Sequence, residues 1–327
     1  MLPWRATPAV VALIAIIAAC RGGRGATVVQ RSTTLAPASR PALTISERTE
    51  AFVDSNRPTA AVGTTPASAT RSLPTLVVAP APGQPGRPYP LIVFAHGNGA
   101  TSRSKVLLLR AWAAAGYVVA APTFPFGAGR ALSLDEGAND YPNQPADITF
   151  VITQMLRLNQ DPASSVRGTI DPNRIGAAGH SLGAATTLAL AGNTCCHDDR
   201  VKAAVVLAGW ELRFPSGDFW LRIATPILFV HGDADTFVSY RSGVEAFQDA
   251  PPPKFLVTIV GGSHTVPYQD NPGDRQAEVI TAASLDFFDH YLKGLSHDLT
   301  RMQSDASVAG VAEVRLCTNG GNPGCRP

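Results

Sequence analysis

The chain has 327 residues, 45% of them apolar, and its 27 basic side chains nearly balance 25 acidic ones. That length is enough to bury a sizeable core, and the absence of an interior linker or repeat points to one large domain. A near-neutral balance carries no electrostatic footprint for nucleic acid or an anionic surface, so no nucleic-acid partner is expected.

The N-terminus reads as a targeting segment. Arg5 supplies a positive start, residues 9–19 form an apolar stretch short for crossing a bilayer, and Ile17-Ala18-Ala19-Cys20 puts small residues before a cysteine. Residues 1–19 are therefore expected to be a signal peptide. The tetrapeptide resembles a bacterial lipobox, which implies cleavage before Cys20 and a membrane anchor on its thiol; the alternative is an ordinary secretory signal that contains a cysteine. Either way the mature protein is exported. Residues 20–43, rich in Gly, Ala, Ser, Thr, Arg and Pro without periodicity, fit a flexible tether from Cys20.

The folded part begins near Thr44 and is expected to run to about residue 300. Residues 47–53 and 73–78 read as early strands, and 89–95 as a stronger one with a dense run of β-formers. Residues 102–115 predict a helix ended by Gly116, and 117–121 the next strand. Pro145 suits a first helical turn, with Asp147 near the positive end of a helix reaching about Leu158. Residues 174–178 read as a buried strand and 184–190 as helix. Three further apolar strands follow at 202–207, 226–230 and 254–260, then a closing helix at 277–292. Strands alternating with helices at this spacing imply a mostly parallel sheet covered on both faces.

Export bears on the remaining cysteines. Cys317 and Cys325 flank a flexible turn, and an oxidising compartment would keep them joined as a staple on a C-terminal tail, residues 301–327. Cys195 and Cys196 are adjacent; they can form a vicinal disulfide, stay as buried thiols or pair elsewhere. No Cys or His spacing suggests zinc.

Between the predicted strand at 174–178 and the predicted helix at 184–190 stands Gly179-His180-Ser181-Leu182-Gly183, a G-x-S-x-G pattern. A serine on a sharp strand-to-helix turn adopts a strained backbone conformation, and small residues two positions away leave room for the turn against its neighbours. Ser181 is thereby a candidate nucleophile, against the plainer reading of a glycine-flanked turn with an idle serine. Such a nucleophile needs a base and an orienting acid downstream. Of His197, His231, His264, His290 and His297, only His264 lies in a loop directly after a late strand and before the last helix. His231 ends a strand, where packing or a hydrogen bond is the plainer reading. The acid candidates after strand 226–230 are Asp233 and Asp235; alternate residues on an extended turn point opposite ways, so one faces the imidazole and the other caps the turn or meets solvent. A paired-carboxylate metal site lacks a third oxygen-rich segment.

These blocks resemble the α/β-hydrolase superfamily, in particular its dienelactone hydrolase-like and platelet-activating-factor acetylhydrolase-like bacterial esterases, which are similar to actinobacterial cutinases and polyester hydrolases. The matching blocks also include Asp54-Ser55-Asn56-Arg57-Pro58, Phe94-Ala95-His96-Gly97 and Asn143-Gln144-Pro145-Ala146-Asp147, spanning about residues 45–295. The resemblance implies an α/β-hydrolase fold without a large cap domain and the chain order serine, acid, histidine. It selects Asp235 through the G-x-x-D layout of the acid loop and assigns the oxyanion amides to Leu182 and Asn98. It also places Trp210 in the position where polyester hydrolases carry a cleft-lining tryptophan; packing under a loop is the competing reading. Asn98-Gly99 stands where polyester hydrolases put an aromatic residue, which weakens the case for an aromatic polyester. Too few residues separate Leu207 from Pro226 for a cap, so loops around 124–141 and 211–219 are expected to border an open cleft.

The expected protein is an exported, monomeric serine hydrolase of carboxylic esters, with Ser181, His264 and Asp235 as its triad and neither metal nor organic cofactor. An acyltransferase on the same scaffold and a catalytically silent binding lipoprotein are the alternatives.

Overall fold

The computed structural model describes residues 42–63, 65–127, 139–221, 224–269, 271–319 and 325. The expected signal peptide, Cys20 and the tether up to residue 41 lie outside the described residues, as does most of the 124–141 loop.

Among the described residues, nine strands form one sheet in the order β1-β2-β4-β3-β5-β6-β7-β8-β9. β1 (Ile45–Asp54), β2 (Arg71–Pro80) and β4 (Val118–Pro122) pair antiparallel in succession. From β4 through β3 (Tyr89–Ala95), β5 (Ile170–His180), β6 (Val201–Leu207), β7 (Ile227–Gly232) and β8 (Lys254–Ile259) every pairing is parallel. This is the α/β-hydrolase fold.

Alternation along the central strands explains why both faces are covered. On β3, Ile92 and Phe94 join a core with α1 (Val106–Ala114) and α5 (Arg275–Lys293), while Leu91 and Val93 join one with α2 (Gln144–Gln160). On β7, Leu228 and Val230 face the α5 side, while Ile227 and Phe229 pack with α3 (Leu182–Gly192) and α4 (Tyr240–Asp249). Strands that bury apolar side chains on both faces in this way belong to sheets whose two faces are covered by helices. The centre of the α1 side is Trp112, packed on Phe94 and edge-on to Phe288, with its indole N–H donating to Ser284 Oγ at 3.0 Å.

Two of the sequence blocks meet across the structure through charge. Arg71, fully buried, donates to both Asp140 and Asp147, and Arg57 reaches Asp54 and Asp147. Burial works against the Arg71 charge, but the two carboxylates hold its guanidinium above its ordinary range. This network pins the start of α2, whose Gln144 accepts a hydrogen bond from Thr186 on α3 at 2.7 Å.

Three readings are corrected. The helix expected from residue 102 starts at Val106, because 102–105 form turns. The stretch expected as a tail carries α6 (Asp298–Asp305) and β9 (Ala312–Cys317), the latter pairing antiparallel with β8 from Lys254↔Cys317 to Ile259↔Ala312. Its alternation of small or apolar with charged side chains is that of an edge strand with one buried face. Finally, α4 lies in a stretch where no helix was predicted. The structure joins Cys317 to Cys325, so the bridge holds residue 325 to the end of β9, and it joins Cys195 to Cys196 just beyond α3.

Candidate active site

Ser181 sits between β5 and α3 with φ 57° and ψ −123°, a left-handed conformation rare for a residue with a side chain. Tight packing enforces it: a Cβ on Gly179 would strike the backbone of Gly183, and one on Gly183 would strike the backbone of Ala95. The turn is closed by the Ser181 N–H, which donates to the Leu207 carbonyl at 2.9 Å.

The loops after β7 and β8 bring the partners. Ser181 Oγ lies 2.8 Å from His264 Nε2, and His264 Nδ1 lies 2.7 Å from Asp235 Oδ2. Asp235 Oδ1 accepts the backbone N–H groups of Phe237 and Val238, both at 2.9 Å, which fixes the carboxylate plane. Asp233 turns away and accepts the Gly261 N–H at 2.6 Å, bracing the two loops together. The structure thus brings Ser181, His264 and Asp235 into one hydrogen-bonded chain, and Asp233 caps the turn.

Leu182 opens α3, so its amide is among the first-turn N–H groups that have no partner within the helix and carry the positive end of the dipole. Asn98 lines the same cleft, in the loop after β3. That loop is shaped by buried His96, whose Nε2 accepts the Phe124 N–H at 3.0 Å, leaving Nδ1 to donate to the Gly97 carbonyl at 2.8 Å. Burial lowers the His96 pKa to about 4. His180 is likewise held well below its ordinary value by burial, and its Nε2–H donates to the His264 carbonyl at 2.9 Å.

The cleft has a volume of about 500 Å³ and exposes Ser181 and His264 beside Phe237, Lys105 and Ser104. Phe237 is 60% exposed, with its ring 4.9 Å from that of His264. The His264 ring also lies 5.1 Å from that of His180, which in turn meets Tyr268 at 4.9 Å. Trp210 follows β6, half-buried, and is not among the residues lining this cleft. The 211–219 loop is tied to the end of α3, where the Trp220 N–H donates to the Gly192 carbonyl and Trp220 Nε1 donates to Glu211, whose carboxyl burial raises to about 7.

Sequence reasoning missed Phe237, His180, His96 and Lys105. Phe237 had one usable signal, a large apolar residue two positions after the acid in a polar loop. The His264 carbonyl lies 84 residues from His180 and the Phe124 amide 28 residues from His96, so only the fold reveals these contacts. Among the described residues no cluster of His, Cys, Asp and Glu could hold a metal ion. A hydroxyl, imidazole and carboxylate linked in this order, beside amides of a helix N-terminus, can deliver an activated oxygen nucleophile to a carbonyl carbon.

A family model described as PET hydrolase-like matches residues 135–292, and one described as chlorophyllase matches residues 47–208. The chain is 37% identical over 89 residues to a bis(hydroxyethyl) terephthalate hydrolase of Streptomyces coelicolor, covering 27% of this chain and 26% of that protein. It is 36% identical over 92 residues to cutinase est1 of Thermobifida alba, covering 28% of each. Against cutinase 2 of Thermobifida cellulosilytica it is 30% identical over 110 residues, covering 33% of this chain and 39% of that protein. The matches therefore span well under half the length of these relatives. Sheet order and serine elbow give the chain the α/β-hydrolase fold, and these partial matches make it similar to the actinobacterial cutinases and PET hydrolase-like proteins.

Proposed function

We propose that the chain hydrolyses carboxylic esters through an acyl-enzyme on Ser181. The observation that carries this reading is the 2.8 Å and 2.7 Å hydrogen-bond chain from Ser181 through His264 to Asp235. His264 Nε2 takes the hydroxyl proton as Oγ attacks the ester carbonyl, and Asp235 holds the tautomer and balances the imidazolium. The amides of Leu182 and Asn98 receive the oxyanion, each contributing on the order of 3 kcal/mol to the transition state. The imidazolium then protonates the departing alkoxide, and water repeats the cycle to release the acid. The relatives are named for cutin and for a terephthalate ester, which supports an ester with an apolar acid part lying along Phe237.

The leader supports export, and the small residues before Cys20 support a lipid anchor there. Mass measurement of the mature N-terminus tests this: an unmodified N-terminus other than Cys20 overturns the anchor.

The function is tested by hydrolysis of a p-nitrophenyl ester series and a polyester film by the mature domain and its Ser181→Ala variant. Activity lost in the variant is expected, with the acyl-length profile choosing between small esters and polymers. No turnover, together with no labelling of Ser181 by a fluorophosphonate, would overturn the esterase reading and leave a binding protein.

A further inference from the structure

We infer that His231 is a positioning residue for this reaction: its imidazole N–H, donated to the Val238 carbonyl beside the Asp235 carboxylate, holds the acid and its turn in register with His264. The inference rests on the esterase reading for its kinetic consequences and on geometry for its premise.

The Asp235 side chain is fully buried, with hydrogen bonds to both oxygens and a second imidazole nitrogen close to Oδ2. Oδ1 takes the amides of Phe237 and Val238, and Oδ2 lies 2.7 Å from His264 Nδ1 and 3.3 Å from His231 Nε2. A carboxylate offers about four acceptor directions, and His231 Nε2 is the fourth nitrogen near this one. The same Nε2–H lies 3.0 Å from the carbonyl of Val238, whose own amide grips Oδ1. One nitrogen thereby hydrogen-bonds the Val238 carbonyl while lying 3.3 Å from the Asp235 carboxylate, which links the strand end at β7 to the turn.

The imidazole has little freedom to leave that position. It is 2% exposed, its ring meets Tyr240 edge-on at 5.9 Å, and α4 presses a glycine against its far edge. A Cβ at Gly243 would strike His231 Nδ1 and come within 3.0 Å of Cγ. Burial lowers the His231 pKa, which keeps the ring neutral; a cation there would draw the carboxylate charge away from His264.

The test compares wild type with His231→Leu, His231→Gln and Gly243→Ala. Leucine fills the space without a donor, glutamine returns an N–H near the Nε2 position, and the added methyl at 243 displaces the ring without removing it. Two readings are taken: p-nitrophenyl butyrate kinetics and the low-field proton resonance of His264 Nδ1–H, identified by its loss in His264→Gln. His231→Leu and Gly243→Ala should each lower kcat about tenfold with KM little changed, short of the about hundredfold cost of a full ångström of misplacement. Both should move or broaden the resonance, and His231→Gln should restore rate and resonance together. Wild-type kcat and resonance in His231→Leu, or a glutamine variant as impaired as the leucine one, would overturn the inference in favour of simple packing. If leucine prevents folding, Gly243→Ala and His231→Gln decide by the same readings. An inactive wild type would sink the esterase reading while the resonance still decides the geometric claim.

Discussion

Asp235→Asn gives a sharp test, because the structure dictates how the new amide must sit. Asp235 Oδ1 receives two backbone N–H groups at 2.9 Å, and only an oxygen can accept them. The asparagine oxygen is therefore held at that position, which puts its NH2 group where Oδ2 now faces His264 Nδ1 at 2.7 Å. Two donors cannot face each other, so the imidazole moves its proton to Nε2, the nitrogen 2.8 Å from Ser181 Oγ. In that tautomer Nε2 cannot take the hydroxyl proton. Loss of the correct tautomer and of the charge opposite the imidazolium should lower kcat about 10⁴-fold, which corresponds to roughly 5 kcal/mol of transition-state stabilisation. Folding should survive, because every backbone donor around residue 235 keeps a partner. The assay is p-nitrophenyl butyrate turnover alongside the unfolding midpoint. A variant within tenfold of wild type at unchanged stability would refute the assigned role of Asp235 and the tautomer argument with it.

Three further outcomes follow from packing and charge. Buried His96 has a folded-state pKa of about 4 against 6.5 when free, so the unfolded state gains its proton first as pH falls; stability is fully present above about pH 6.5 and declines through about pH 4, on the order of 3 kcal/mol for this residue alone. His180 and His231 act in the same sense, and urea midpoints that do not drop between pH 7.5 and 5 would contradict the buried neutral rings. Trp112→Ala should cost about 3–5 kcal/mol, read as a fall in Tm with turnover per folded molecule unchanged, since the ring fills the α1 side of the core rather than the cleft. Replacing Cys317 and Cys325 by serine removes a bridge between positions eight residues apart and should lower unfolding stability by about 2–3 kcal/mol, with equal midpoints for variant and wild type refuting its contribution.

Much of the site was legible in the chain because its parts are local. The G-x-S-x-G elbow and the strand ends before Asp235 and His264 follow from short patterns whose backbone demands are strong, while the order serine, acid, histidine came with the resemblance to the α/β hydrolases. Densely apolar runs such as 89–95 and 202–207 likewise announced buried parallel strands and thus helices on both faces. The edge strand at 312–317 was legible in its alternation, but its short length beside a cysteine pair read as tail. The choice between Asp233 and Asp235 depended on which side of a turn each carboxylate takes, and the turn itself is closed by amides of residues 237, 238 and 261. His180 and His96 carry no pattern of their own, since the His264 carbonyl and the Phe124 amide reach them only in the fold, whereas the hydrogen bond expected at His231 is made to the nearby Val238 carbonyl. Sequence by itself determined the fold class and which candidate residues stand at the ends of the strands, through local conformational and burial preferences. Tertiary structure alone decided which rings, carbonyls and helix starts hold that chemistry in place, because those contacts join segments as far apart as His180 and His264 and are set by the packing of the whole sheet.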